Sequence, residues 1–226
     1  MPFSCNSRLI HILWAIIETR QNNGNGGGVM LVFWKQRLVM LAVPKTGTTA
    51  YTRALAPMSS MVVRDPPELK HAPIYRYNRF FRPMFEKMGA EQMDIMAVIR
   101  EPVDWLGSWY RYRQRPFLQG RRTSTADMSF DAFCQAYMCI DRPPFANVGS
   151  QAKFIEPRPN GVAVTHLFKY ENQGKIINFL QERLGASIDL PRANISPRHE
   201  LELSPATQQA LRQSCAADFT AWQSAE

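Results

Sequence analysis

A short basic and hydroxyl-rich segment in the first quarter of the chain has the side chains needed to bind an oxyanion. Lysine supplies a positive charge, threonine supplies hydroxyl donors, and glycine lets the main chain approach a bound phosphate closely. The sequence therefore predicts an anion site here, formed by Pro44, Lys45, Thr46, Gly47, Thr48 and Thr49.

A second candidate anion contact follows about fifty residues later, where Arg100 precedes Pro102 and Ser108. Arginine suits a phosphate because its planar guanidinium can hold two oxygens at once. Pro102 is typical of the first turn of a helix, where its missing N–H is harmless, and Glu101 is favoured at the positive end of the helix dipole. The sequence predicts a helix over residues 103–113 that carries Ser108.

Two apolar runs precede these segments and must position them. Residues 38–43 end just before the lysine segment, and residues 94–99 end just before Arg100. Each run has the length and composition of a buried strand. A helix can begin near Ala50, so the lysine segment is predicted to be a strand-to-helix loop whose N–H groups and helix dipole favour an anion. Ligands of parallel sheets lie beyond the carboxyl ends of the strands, where both segments fall.

The lysine segment lacks the order of a Walker A loop, because Lys45 comes two residues before Gly47 instead of directly after a glycine. Its order resembles the 5'-phosphosulfate loop of sulfotransferases that use 3'-phosphoadenosine 5'-phosphosulfate (PAPS). Arg100, Pro102 and Ser108 resemble the 3'-phosphate signature of the same family. The resemblance implies a P-loop-like sulfotransferase fold and a PAPS site that includes Lys45, Thr46, Gly47, Thr48, Thr49, Arg100 and Ser108.

Softer similarity extends over residues 30–222. Residues 166–172 resemble the late strand and corner of bacterial and carbohydrate-type sulfotransferases, residues 190–198 resemble a loop of these enzymes, and residues 203–219 resemble their closing helix. One departure concerns the adenine. Family members that act on steroids and phenols place a tryptophan after the loop, whereas this chain has Ala50 followed by Tyr51. Either Tyr51 or another aromatic residue is then expected to cover the base.

The resemblance implies transfer of a sulfuryl group to a hydroxyl or amine by in-line displacement, a reaction governed by positioning and charge stabilisation. Lys45 is expected to stabilise the charge that develops on the departing 5'-phosphate. His71 is the first candidate for the general base because its intrinsic pKa is near neutral, and Glu68 is the alternative. This scheme requires no metal.

Several other residues have two interpretations. Gln151 is either a neighbour of the cleft or a helix cap without chemistry. Trp105, Trp109 and Tyr112 follow helical spacing, which favours a core stripe over an adenine platform. The clustered arginines are either a solvated face or a cleft rim that attracts an anionic acceptor such as an acidic glycan, and they are Arg111, Arg113, Arg115, Arg121 and Arg122.

Composition constrains the class of protein. The net charge of +8 and the pI near 9.6 fit a polyanionic small ligand, so nucleic acid need not be invoked. The cysteines show no metal-ligand spacing, and reduced thiols in the cytoplasm are the expectation, with one disulfide left open. Oligomeric state has no signal in the sequence.

The 226 residues suffice for one sizeable core. Alternating strands and helices predict an α/β fold of three layers, with a central, mostly parallel sheet and helices on both faces. This domain is predicted to span residues 30–226. Residues 1–29 are predicted to be a flexible leader or an incorrectly assigned start. Its apolar residues 9–17 are too few to span a bilayer, although membrane anchoring through them is the alternative to a cytoplasmic location.

Some element boundaries are also predicted: a strand over residues 162–168, a helix over residues 147–155 and one closing helix over residues 205–222. Two other functions remain open at this point. One is a P-loop kinase or NTPase, which the loop order disfavours. The other is a non-catalytic module that binds a nucleotide or a polyanion.

Overall fold

A five-stranded mixed sheet lies at the centre of the computed structural model, which describes residues 28–191 and 201–226. The strand order is β3-β1-β2-β4-β5. β1 is antiparallel to β2 and β3, whereas the pairs β2–β4 and β4–β5 are parallel. The strands are β1 (Met30–Phe33), β2 (Leu38–Met40), β3 (Met61–Val63), β4 (Asp94–Ile99) and β5 (His166–Lys169). The α/β class predicted from the sequence is confirmed, but the sheet is mixed and not mostly parallel as predicted, because β1 is antiparallel to both of its neighbours.

Helices occupy most of the connections between the strands. A π-helical turn (Tyr77–Phe81) joins the helices Ile74–Arg76 and Arg82–Lys87. Turns of 3₁₀ helix lie at Ala56–Met58 and Pro116–Leu118. In chain order the α-helices are α1 (Thr48–Leu55), α2 (Pro67–Lys70), α3 (Ile74–Arg76), α4 (Arg82–Lys87), α5 (Pro102–Arg113), α6 (Phe130–Met138), α7 (Gln151–Ile155), α8 (Gln173–Leu184), α9 (Pro205–Ser214) and α10 (Ala216–Ser224).

Both faces of the sheet are covered, as predicted. Successive side chains of β1, β2 and β4 alternate between two buried clusters because strand side chains point to opposite faces in turn. One cluster includes Leu31 and Val98 and packs against α1 and α8. The other includes Val32 and Ile99 and packs against residues 72–85 and α7. Burial on both faces explains why these strands are almost wholly apolar.

A third cluster, rich in aromatic residues, packs around α5. It is formed by α5, α6, α9 and α10 and includes Trp105, Tyr110, Phe133 and Tyr137. The cluster also buries Cys134 and Cys215, and burial raises the pKa of these thiols to about 12 and about 11. Within the described residues the cysteines are free, and Cys139 is exposed.

Several boundaries differ from the predictions. The closing helix over residues 205–222 is two helices, since Cys215 leaves helical geometry (φ −113°, ψ 27°) and lets α9 pack on α6 while α10 packs on α5 and α7. The helix over residues 147–155 is only Gln151–Ile155, and the strand over residues 162–168 is His166–Lys169.

The leader and the loop over residues 190–198 lie largely outside the described residues. Gly28 and Val29, at the end of the predicted leader, are described and buried, and the Val29 N–H donates to Thr52 Oγ1 at 3.0 Å. None of the helices in the described ranges is both long enough and apolar enough to cross a bilayer.

Phe85 on α4 offers a direct test of the packing below the sheet. Its ring contacts Trp34, Tyr77 and Phe81, with centroids 5.7–6.2 Å away. We expect Phe85→Ala to lower the free energy of unfolding by about 3–5 kcal/mol because it leaves a cavity there. Chemical denaturation measures the change.

Met88, three residues further on, is the matched control because its side chain is exposed. Met88→Ala should change the unfolding free energy by less than about 0.5 kcal/mol. Equal effects of the two substitutions would contradict the placement of this segment.

Candidate anion-binding site

The parallel pairing of β2 with β4 brings the two sequence motifs together at one edge of the sheet. Met40 pairs with Met96, and the loops that follow both strands leave in the same direction. An Arg100 guanidinium nitrogen donates to the Lys45 carbonyl at 3.5 Å, and Trp105 Nε1 donates to the Pro44 carbonyl at 2.8 Å. Residues more than fifty positions apart in sequence therefore form one site.

The lysine loop has an unusual main-chain shape. Lys45 and Gly47 both have positive φ, at 69° and 73°. For lysine this conformation costs about 1–2 kcal/mol, so the surrounding contacts must hold it. Thr46 Oγ1 is fully buried and donates to the Val43 carbonyl at 2.9 Å, so this hydroxyl shapes the loop.

Glycine is required at two positions of this site for steric reasons. A Cβ at position 47 would lie 2.8 Å from Tyr170 Cε2, and one at position 28 would lie 1.9 Å from Thr48 Oγ1. α1 begins at Thr48 directly after Gly47, which has no side chain to cap the helix. Thr48 and Thr49 thus lie in the first turn, where N–H groups and the helix dipole favour an anion.

The Lys45 amine lies against two aromatic rings of α5. Its Nζ is 3.6 Å from the centroid of Tyr112 and 5.2 Å from that of Trp109. Burial, together with the positive charges of Arg115, Arg100, Arg113 and Arg111, lowers the pKa of Lys45 to about 7. A negatively charged ligand would reverse this effect by favouring the ammonium form.

The predicted core stripe on α5 is only partly correct. Trp105 is buried in the aromatic cluster and Trp109 packs against it. Tyr112, one helical turn after Trp109, instead covers the Lys45 amine. The Phe117 ring and the Arg115 guanidinium also lie next to the Tyr112 ring. This contact of Tyr112 could not be predicted, because the spacing of apolar residues along a helix does not show where the helix extends beyond the core.

The arginines in the last turn of α5 and just after it lie in three environments. Arg113 is buried and donates to the carbonyls of Pro144 and Asn147 at 2.6 and 3.4 Å, which is a structural role. Arg111 lies 3.6 Å from Asp104. Arg115 is exposed and lies over the Tyr112 ring.

Arg100 is held in place by a ring and a carboxylate. Its guanidinium lies 4.6 Å from the Tyr170 ring centroid and forms a 2.6 Å ion pair with Asp104. Ser108 lies on the same face of α5 as Asp104 and Tyr112, one turn from each. These two neighbours contact Arg100 and Lys45, so α5 places Ser108 between the two motifs.

Uncharged and acidic groups fix the main chain around Arg100. Gln151 accepts from the Arg100 N–H at 2.8 Å and donates to the Arg100 carbonyl at 2.7 Å. The prediction that Gln151 caps a helix is wrong, because Ser150 caps α7. Glu171 accepts from the Glu101 N–H at 2.8 Å. The strand end is therefore held rigidly from two sides.

A buried carboxylate anchors this support to the C-terminal helix. Asp218 of α10 accepts from Ser150 Oγ at 3.0 Å and from the Ala152 N–H at 2.8 Å. Through α7, this contact links α10 to Gln151 and so to Arg100.

His71 lies next to the chain segment that leads into the lysine loop. Its Nδ1 is 2.8 Å from the Ala42 carbonyl, and a carbonyl can only accept, so Nδ1 carries the proton. Burial lowers the pKa of His71 below 6.5, which keeps the ring neutral at pH 7 and leaves Nε2 as an acceptor. Glu68, the alternative base, is exposed on α2.

The structure excludes one candidate for stacking on an adenine and provides another. Tyr51 is buried in the core and its hydroxyl donates to Gln173 Oε1 at 2.6 Å, so it cannot stack on a base. Tyr170, which follows β5 directly, contacts the Gly47 and Arg100 positions instead. Its place after a parallel strand was the signal that could have identified it.

Two buried nitrogens at this site lack a hydrogen-bond partner. Among the residues that the structure describes, these are Trp109 Nε1 and Arg111 Nε. Buried donors are nearly always paired in folded proteins, so a ligand with acceptor oxygens would satisfy a need that the protein itself leaves open. This feature and the cationic surroundings fit a phosphate-bearing molecule.

No protein-family model, curated protein or solved structure matches this chain. Over residues 28–191 and 201–226, no cluster of three or more His, Cys, Asp or Glu side chains could hold a metal ion.

The contact between Lys45 and Tyr112 can be tested by acetylating the lysine with acetic anhydride over a range of pH. In the native protein we expect the reactivity of Lys45 to rise with a midpoint near pH 7, since only the neutral amine reacts. Tyr112→Leu removes the ring that shields the amine from water, so the midpoint should move up toward 10.5. Mass spectrometry of the Lys45 peptide measures both.

Tyr112→Phe is the matched control because it keeps the ring and should keep the native midpoint. Lys153 in the same digest serves as the internal reference. An unchanged midpoint in Tyr112→Leu would show that this ring does not cover the amine.

Proposed function

We propose that this chain is a PAPS-dependent sulfotransferase that transfers a sulfuryl group to a hydroxyl or amine acceptor. The observation that carries the proposal is the contact between the Lys45 loop and Arg100 at one edge of the sheet. Each motif alone resembles the phosphate-binding segments of that family, and their juxtaposition is what a ligand with phosphates at both ends would require. The P-loop-like version of the α/β fold belongs to the same proposal.

The chemistry of the site fits the two ends of the nucleotide. The first turn of α1, the loop N–H groups and Lys45 would hold the 5'-phosphosulfate, and Arg100 with Ser108 would hold the 3'-phosphate. Arg100 would exchange at least part of its contact with Asp104 for phosphate oxygens, and the half-exposed Asp104 can turn toward water.

Lys45 would stabilise the charge that grows on the 5'-phosphate oxygen as the bond to sulfur breaks. Its amine is buried between rings, and a charge interaction is stronger in such a place than in water. A bound anion would restore the ammonium form that the neighbouring arginines disfavour. The site would therefore be fully charged only when its ligand is present.

His71 would act as the general base. Its neutral ring presents Nε2 to take the proton from the acceptor, whose oxygen or nitrogen then forms the new bond to sulfur. The products are the sulfated acceptor and 3',5'-ADP. The exposed Arg115, Arg121 and Arg122 favour an acceptor that carries negative charge. PAPS and such an acceptor together account for the basic composition, and the scheme uses no metal.

A kinase or NTPase is the weaker alternative, because the lysine of the loop precedes its glycine. A non-catalytic binding module differs from the proposed enzyme only in turnover. Assays with radiolabelled PAPS over phenols, glycans and peptides separate these two possibilities, and release of labelled product identifies the enzyme.

Calorimetric titration tests the proposed nucleotide site. We expect the protein to bind 3',5'-ADP more tightly than 5'-AMP, which lacks the 3'-phosphate. Arg100→Gln should weaken 3',5'-ADP binding by about 10- to 100-fold, the usual worth of a hydrogen bond to a charged group. Binding of 5'-AMP should hardly change.

Arg212→Gln, an exposed arginine of α9, is the control substitution. Tighter binding of ATP with magnesium than of 3',5'-ADP would favour the kinase or NTPase. Failure to bind 3',5'-ADP would refute the proposed function.

The pH dependence of turnover tests the base. Only neutral His71 can accept a proton, and its pKa lies below 6.5, so the rate should fall as the pH drops through that lower value. His71→Ala should lower kcat by about a hundredfold or more and abolish this acidic limb. Steady-state rates with an acceptor found in the panel measure both.

Glu68→Gln is the companion variant and should keep the native profile. A loss of the acidic limb in Glu68→Gln, with a normal profile in His71→Ala, would assign the base to Glu68.

A further inference from the structure

Exposed apolar side chains are concentrated on one short helical segment. In the described part of the chain, half of the large hydrophobic side chains that are exposed lie within residues 75–88. These are Tyr75, Phe80, Met84 and Met88, which are 43%, 50%, 38% and 70% exposed. Monomeric soluble proteins rarely collect such side chains in one place without a binding partner.

The π-helical turn at Tyr77–Phe81 explains how these side chains come into line. The hydrogen bonds of a π turn run from residue i to residue i+5, so this turn holds more residues than an α-helical turn and brings Tyr75 and Phe80 toward the same side of the segment. From Phe80 the α-helical spacing of four continues the line through Met84 to Met88. We call this line the 75–88 face.

Another side of the same segment is a normal core face. Ile74, Tyr77, Phe81 and Phe85 are buried under the sheet. The segment is therefore apolar on two sides, of which packing within the protein explains only one.

The charges beside the 75–88 face are almost all positive. Residues 74–88 contain four basic side chains and one acidic side chain. The acidic one, Glu86, forms a 2.6 Å ion pair with Arg82. Arg76 and Arg79 lie over the rings of Tyr75 and Phe80 at 5.3 and 5.4 Å, and Lys87 is exposed.

Apolar side chains bordered by cations match the boundary of an anionic lipid bilayer, where rings and thioethers enter the acyl region and cations meet the headgroups. A second copy of the chain is a poorer occupant, since a symmetric contact would bring like charges together. Residues 1–27 are also a poorer occupant, because they contain two arginines and one glutamate and offer no excess of negative charge.

We propose that the 75–88 face is a peripheral binding surface for an anionic lipid bilayer. The segment from Tyr75 to Met88 is about 20 Å long and lies flat on the membrane. Arg79 and Lys87 contact the headgroups, and Phe80, Met84 and Met88 enter the interface. This surface is independent of the proposed reaction, since none of its residues belongs to the anion-binding site.

The test is sedimentation of the full-length chain with phosphatidylcholine vesicles that contain or lack phosphatidylserine. We expect binding only to the phosphatidylserine vesicles, and weaker binding at high salt. The double variant Phe80→Ser with Met84→Ser should bind at least about tenfold less, because it removes apolar surface that the bilayer buries. The double variant Arg79→Glu with Lys87→Glu should lose binding as well.

Ile140→Ser is the control, since Ile140 is a fully exposed apolar residue elsewhere on the surface. It should bind vesicles as the native chain does. All substituted side chains are exposed, and thermal unfolding confirms that each variant folds.

Three outcomes would overturn the proposal. The first is no binding of the native chain to phosphatidylserine vesicles. The second is equal binding by the native chain and the Phe80–Met84 double variant, which would assign lipid binding to another segment such as residues 1–27. The third is a native oligomer that the same double substitution dissociates, which would show that a second copy covers the face.

Discussion

The parallel pairing of β2 with β4 is the constraint on which the site depends. Met40 is opposite Met96, and Lys45 and Arg100 follow these residues by nearly equal lengths of chain. Both strands are buried on both faces, so a shift in register would carry the whole apolar pattern out of place. Core packing therefore holds the two loops at the same height.

Convergence of these loops gathers positive charge, which the supporting contacts cancel only in part. Gln151 holds the main chain of Arg100 with an uncharged amide, and Tyr112 and Tyr170 cover the cationic groups with rings. Asp104 is the carboxylate paired with Arg100. Burial and the repulsion that remains lower the pKa of Lys45, a shift that a bound anion would reverse.

Packing also determines which side chains of residues 75–88, the segment that follows His71, face solvent. Its buried side closes the core under the sheet, while the π-helical turn sets the phase of the side that faces solvent. The π-helical turn thus determines which side chains of the segment face solvent, while the core packing of the segment is kept.

The sequence by itself determined several of the elements and the position of both motifs directly after β2 and β4. The strands around Val39 and Val98 and the helix that starts at Pro102 could be predicted, because apolar runs and proline act locally. Only the tertiary structure decided that Tyr112 covers Lys45, that Gln151 supports Arg100 and that Tyr51 is in the core. The same holds for the antiparallel β1 and the break at Cys215. These outcomes depend on which elements pack together although they are far apart in sequence. Residue type and spacing along the chain do not specify such tertiary contacts.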